Sequence, residues 1–116
     1  MLIPNDVKIY LYLPPTDMRK SIDTLCIMVS DTLALHPGDG SLFIFRSRQG
    51  NKIKAIYYEE NCFTLIYRRL EKGKFIFPKN GNGTLEMTQE HLKWLLASDK
   101  YSRSNPSEKT IYKDFS

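Results

Sequence analysis

The sequence predicts an α+β fold: an antiparallel β-meander with one main N-terminal helix packed on it and a short C-terminal helix. Three observations carry this. Residues 41–77 alternate short β-branched and aromatic runs with tight-turn residues, at the spacing of consecutive hairpins. Residues 18–35 place their apolar side chains at helical spacing. A shorter window, residues 89–97, repeats that helical pattern after the last strand run. The chain has 116 residues, enough for one domain that buries roughly two-thirds of its unfolded surface.

Residues 8–13 (KIYLYL) read as a first strand, stopped by Pro14 and Pro15. Thr16 and Asp17 then offer helix-capping oxygens. Met18, Ile22, Leu25, Cys26, Val29 and Leu33 form one helix face, and His36-Pro37-Gly38 ends the helix near Leu35. Residues 41–45 (SLFIF) form the next strand, and residues 46–51 form a turn in which Gly50 and Asn51 tolerate positive φ. Strands follow at 52–58 (KIKAIYY) and 62–70 (CFTLIYRRL), joined through Glu59-Glu60-Asn61. After the turn Glu71-Lys72-Gly73, residues 74–77 (KFIF) read as a short strand that Pro78 stops. Residues 79–83 are loop, and residues 85–87 add a short strand. Thr88 caps the second helix, whose face carries Leu92, Trp94, Leu95 and Leu96. The domain is expected to span residues 1–98, with residues 99–116 a polar tail held only where Ile111, Tyr112 and Phe115 dock.

Charge is unevenly distributed. The chain carries +4 overall, but residues 46–79 hold nine Lys/Arg against Glu59, Glu60 and Glu71, leaving the remainder at −2. This central third attracts a polyanion. Alternation puts Lys52, Lys54, Ile56 and Tyr58 on one face of their strand, and Phe63, Leu65, Tyr67 and Arg69 on one face of the next. Two readings fit. The cations neutralise phosphates while neighbouring aromatics stack on unpaired bases, or they solubilise the wet face of a half-buried sheet. Arg19 and Lys20, read as lying in the first helical turn, oppose the helix dipole and suit a bound anion. Pairing with Asp17 and Asp23 is the alternative.

Catalytic constellations are missing from the pattern. His36 and His91 have no Cys, His or acid at metal-ligand spacing, and Cys26 lies on an apolar helix face. Cys26 and Cys62 read as two reduced thiols. No glycine-rich phosphate loop and no evident set of metal-binding acids occur. The expectation is a protein that is not an enzyme and needs no cofactor, metal or small-molecule substrate. The N-terminus shows no signal-peptide pattern and no stretch is long enough to span a membrane, so a cytoplasmic location is expected.

Specific segments carry a resemblance. Residues 15–23 (PTDMRKSID) with Leu25 resemble the signature PTDMRKSFDGL, and residues 42–48 (LFIFRSR) resemble LFVFRNR. Residues 54–58 (KAIYY) and 63–75 (FTLIYRRLEKGKF) resemble the run KLLYWDGDGFWLWYKRLEKGRF. These belong to the TnpB, or Orf2-like, accessory proteins of the insertion sequence 66 group, a family distinct from the RNA-guided nuclease that shares the TnpB name. The resemblance spans about residues 7–96. It implies a supporting role in transposition beside a separate transposase, which holds the strand-transfer acids. Positions that are aromatic or glycine in the family read Tyr58, Glu59, Glu60, Asn61 and Cys62 here, a change placed at the hairpin turn.

The expected partners are DNA and the transposase of the same element, with no membrane. The candidate contact residues are Arg19, Lys20, Arg46, Arg48, Lys52, Lys54, Arg68, Arg69, Lys72 and Lys74. The rival to DNA binding is an adaptor that docks the transposase without touching nucleic acid.

Overall fold

The computed structural model describes residues 6–78, 81 and 83–97. Five strands, β1 (Ile9–Tyr12), β2 (Leu42–Arg46), β3 (Lys52–Glu59), β4 (Cys62–Arg69) and β5 (Thr84–Met87), form one sheet. Their order is β4-β3-β2-β1-β5. The α+β class and the meander of β2, β3 and β4 match the sequence expectation. Within that class, β1 pairs with β2 in parallel, Ile9 beside Leu42, and β5 returns antiparallel on the other side of β1. A parallel pair needs a crossover rather than a hairpin, and helix α1 (Ile22–Asp31) supplies it.

Alternation along each strand divides the apolar residues between two faces. Ile9, Leu11, Leu42, Ile44, Ile53 and Ala55 point to one side, where Leu92 and Leu95 of helix α2 (Gln89–Leu96) and Phe75 cover them. Phe43, Phe45 and Ile56 point to the other side, under Leu25 and Val29 of α1. Tyr10 stacks on Phe43 there, ring centroids 5.6 Å apart. The sheet is therefore sandwiched, with a core on each face, the main helix α1 over one and the short C-terminal helix α2 over the other.

Helix α1 is shorter than its apolar spacing suggested. Asp17 accepts hydrogen bonds from the backbone N–H of Arg19 at 2.9 Å and from its guanidinium at 2.7 Å. Thr16 N–H donates to the Arg46 carbonyl at 2.8 Å. These bonds hold residues 16–20 as a loop tied to β2, so helical bonding starts only with Leu25 N–H on the Ser21 carbonyl at 2.9 Å. Ser21, not Thr16 or Asp17, is the N-cap, and its side chain makes no cap bond. Arg19 and Lys20 precede the helix and do not occupy its first turn. At the other end Ala34 adopts φ 57°, which takes the chain out of the helix before Leu35, although Leu33 and Leu35 still pack on the core.

Residues 74–77 do not form a strand. Their backbone is tied to the β2–β3 turn through Phe75 N–H on the Gly50 carbonyl at 2.8 Å, and Phe75 is buried. Gly50 sits at φ +80°, a conformation that suits glycine and places that carbonyl. Glu60 and Asn61 hold φ 51° and 63°, so the β3–β4 connection is a two-residue turn with the φ signature of type I′ despite lacking glycine. Thr88 caps α2 as expected, its hydroxyl accepting from His91 N–H at 3.1 Å. The expected tail, residues 99–116, lies outside the described residues.

Candidate nucleic-acid interface

Strand direction decides where the cations go. β1, β2 and β4 run one way and β3 and β5 the other. The C-terminal ends of β1, β2 and β4 therefore meet the N-terminal end of β3 at one edge of the molecule. Arg19 and Lys20 follow β1, Arg46 and Arg48 end β2, Lys52 and Lys54 open β3, and Arg68 and Arg69 close β4. Lys72 and Lys74 lie in the loop beyond, which is pinned back by Leu70 N–H on the Asn51 carbonyl at 2.8 Å. All ten candidate residues thus collect at one end. The N-terminus of α1 lies there too, adding the positive end of its dipole. Glu59, Glu60, Asp31 and Asp39 fall at the opposite end, so the molecule is electrostatically polar along its strands.

The ten are not equivalent. Arg46 is half-buried. Its Nε donates to the Leu13 carbonyl, its Nη1 to the Ser47 carbonyl at 3.5 Å, and its guanidinium lies 5.3 Å from the Phe77 ring centroid. Burial, with Arg48 nearby, lowers its pKa. Arg46 thus ties β2 to the chain leaving β1, and its donors point inward. Lys54 donates to the Lys20 carbonyl at 2.7 Å and stands 5.8 Å from the Tyr67 ring centroid. It joins the loop before α1 to the hairpin, two segments 34 positions apart in the chain. Arg19 is exposed but paired with Asp17, whose carboxyl its hydrogen bonds hold well below the usual carboxylate range. That pair is close to neutral at any ordinary pH.

Arg48, Arg68, Lys72 and Lys74 are exposed and Lys52 is half-exposed. Among the described residues the ion pairs are Arg19–Asp17 and Arg69–Glu71, the latter at 3.5 Å, and these five cations enter none. Arg48 and Lys52 line a cleft of about 400 Å³ whose other wall is residues 15–18. Gln49 and the half-buried side of Met18 complete it. Sequence reasoning missed this cleft, because its two walls, joined by the bond from Thr16 to Arg46, lie 30 positions apart in the chain.

On the α1 side of the hairpin, register sets Lys52 beside Arg69, Lys54 beside Tyr67, Ile56 beside Leu65 and Tyr58 beside Phe63. This is the face that alternation foretold. Arg68 emerges on the opposite face. Among the described residues no three His, Cys, Asp or Glu side chains are grouped to hold a metal ion. No described helix is long and apolar enough to cross a membrane.

The family model described as IS66 Orf2 like protein matches residues 7–106 of the chain. Uncharacterized protein y4hO of Sinorhizobium fredii is 33% identical over 92 residues, covering 79% of this chain and 80% of that protein. Uncharacterized protein y4jC of the same organism is 31% identical over 97 residues, covering 84% of this chain and 83% of its own length. No solved structure was found to match the chain.

Proposed function

The chain belongs to the IS66 Orf2-like family of transposition-associated accessory proteins, and from that premise we propose that it is a non-catalytic factor that holds element DNA at the basic end of its sheet. One observation carries the reading: five cations, Arg48, Lys52, Arg68, Lys72 and Lys74, gather at one end without a carboxylate partner among the described residues. Unpaired surface cations repel one another, so clustering them has a cost that a bound polyanion removes. Phosphates are the anions such a cluster meets on DNA, and backbone contacts of this kind position a protein without reading sequence.

Salt dependence gives the test. If each of the five neutralises one phosphate, log K against log salt falls with a slope of about −4 to −5 on duplex DNA. Binding of the purified protein to the element's terminal DNA and to a scrambled duplex, from low to physiological salt, measures that slope. Arg48→Gln with Lys52→Gln should make it shallower by about 2. Absence of binding at low salt, or an affinity indifferent to salt, refutes DNA as the direct partner. Capture of the transposase by nuclease-treated protein would then assign the same cations to an acidic protein surface.

A further inference from the structure

Two aromatic side chains on β4 are more exposed than a folded core requires. Phe63 is 39% and Tyr67 48% exposed, and both lie on the α1 side of the sheet. β4 is the edge strand of the described sheet, and among the described residues no further strand lies beyond them. Successive residues on one face of a strand are about 6.8 Å apart, which puts Phe63 about 14 Å from Tyr67 with Leu65 between them. The Phe63 ring is propped edge-on by Tyr58, centroids 4.9 Å apart, and Lys54 lies over Tyr67. Arg69 and Lys52 continue the stripe to the basic end.

We propose that this stripe, Phe63–Leu65–Tyr67 running on to Arg69 and Lys52, binds single-stranded DNA by stacking unpaired bases on Phe63 and Tyr67 while the unpaired cations of the basic end hold the backbone. The inference rests on DNA being the partner of the basic end, and it adds which form of DNA is held. Duplex DNA keeps its base faces inside the stack and offers only phosphates and groove edges, so exposed rings on an edge strand find no base face to stack on in an undistorted duplex. Unpaired bases present a π-face to any aromatic, independent of sequence. Aromatics that lead along one stripe to a cluster of cations supply the two elements that single-strand binding uses, a stacking platform and a basic track for the backbone. Pairing of β4 with a second copy is the competing use of an edge strand. Arg68 and Arg69 on that edge oppose it, since charged side chains blunt strand-to-strand association.

Fluorescence anisotropy with labelled twelve-nucleotide oligothymidylate and with a twelve-base-pair duplex tests this on the full chain. The single strand should bind more tightly, and Phe63→Leu and Tyr67→Leu should each weaken it about fivefold or more. Duplex binding should change less than twofold. Tyr67→Trp keeps a stacking surface and should restore single-strand affinity, which a merely folding defect in Tyr67→Leu could not explain. Equal affinity for both DNA forms with indifferent Phe63 and Tyr67 variants overturns the stacking inference and leaves DNA binding at the basic end intact. Failure to bind either form overturns both. A dimer in sedimentation equilibrium that Phe63→Leu dissociates would instead make the stripe a contact between copies, and overturns the inference as well.

Discussion

Replacing Arg46 with methionine separates structure from binding, because Arg46 and Arg48 carry the same charge two residues apart. Methionine keeps an unbranched apolar stem but removes the donors to the Leu13 and Ser47 carbonyls and the cation beside Phe77. A hydrogen bond from a charged donor contributes about 1.5–3 kcal/mol, and a cation over an exposed ring about 0.5–1 kcal/mol. Half-burial of the guanidinium, which also lowers its pKa, offsets part of that gain. The net loss on Arg46→Met is therefore about 1–3 kcal/mol. At roughly 4–8 °C per kcal/mol for a domain of this size, Tm falls by at least about 4 °C. Arg48→Met, at an exposed position without an ion pair, should stay within about 0.5 kcal/mol of the parent protein. Thermal and urea unfolding followed by far-ultraviolet circular dichroism, at matched salt, compares the two. Equal stability of the variants would refute the assignment of Arg46 as the tie between β1 and β2.

Other outcomes are equally open to measurement. Phe43→Ala empties a fully buried site stacked on Tyr10 and should cost about 3–5 kcal/mol, read as a lower urea midpoint at constant m. Thr88→Ala removes the oxygen that accepts from His91 N–H, and should cost about 1 kcal/mol, whereas Thr88→Ser should cost little. Glu60→Asn puts a residue that tolerates positive φ into the first turn position, and unfolding should show a gain of about 0.5–1 kcal/mol. Alkylation with iodoacetamide near pH 8 should label exposed Cys62 well before Cys26, whose thiol burial and the Asp23 charge push to a higher pKa. Faster labelling of Cys26 would contradict that placement.

Much of the local structure was legible in the residues. Alternation between positions 52 and 69 assigned each side chain to its sheet face, and the register bears this out pair by pair. Thr88 and the leucines after it marked α2. The helix start is not legible locally, because Asp17 has two uses. As a cap it would begin a helix at Met18, but bonded to Arg19 it closes a loop, and the bond from Thr16 to Arg46 decides between them. The run at 74–77 has strand composition, yet its backbone partner is a turn and not a ladder.

The sequence by itself determined which residues are cationic and which faces of the hairpin they occupy, since these depend on residue type and on the two-residue period of a strand. Only the tertiary structure decided that Arg19 and Lys20 stand at the same end as Arg48, Lys52 and Lys72. That end exists because β1 pairs with β2 in parallel through the α1 crossover. An antiparallel pair would have sent the loop after β1 to the far end, with the acids. The direction of β1 is fixed by its pairing with β2 across more than 30 positions, such as Ile9 with Leu42, and no pattern within either strand encodes it.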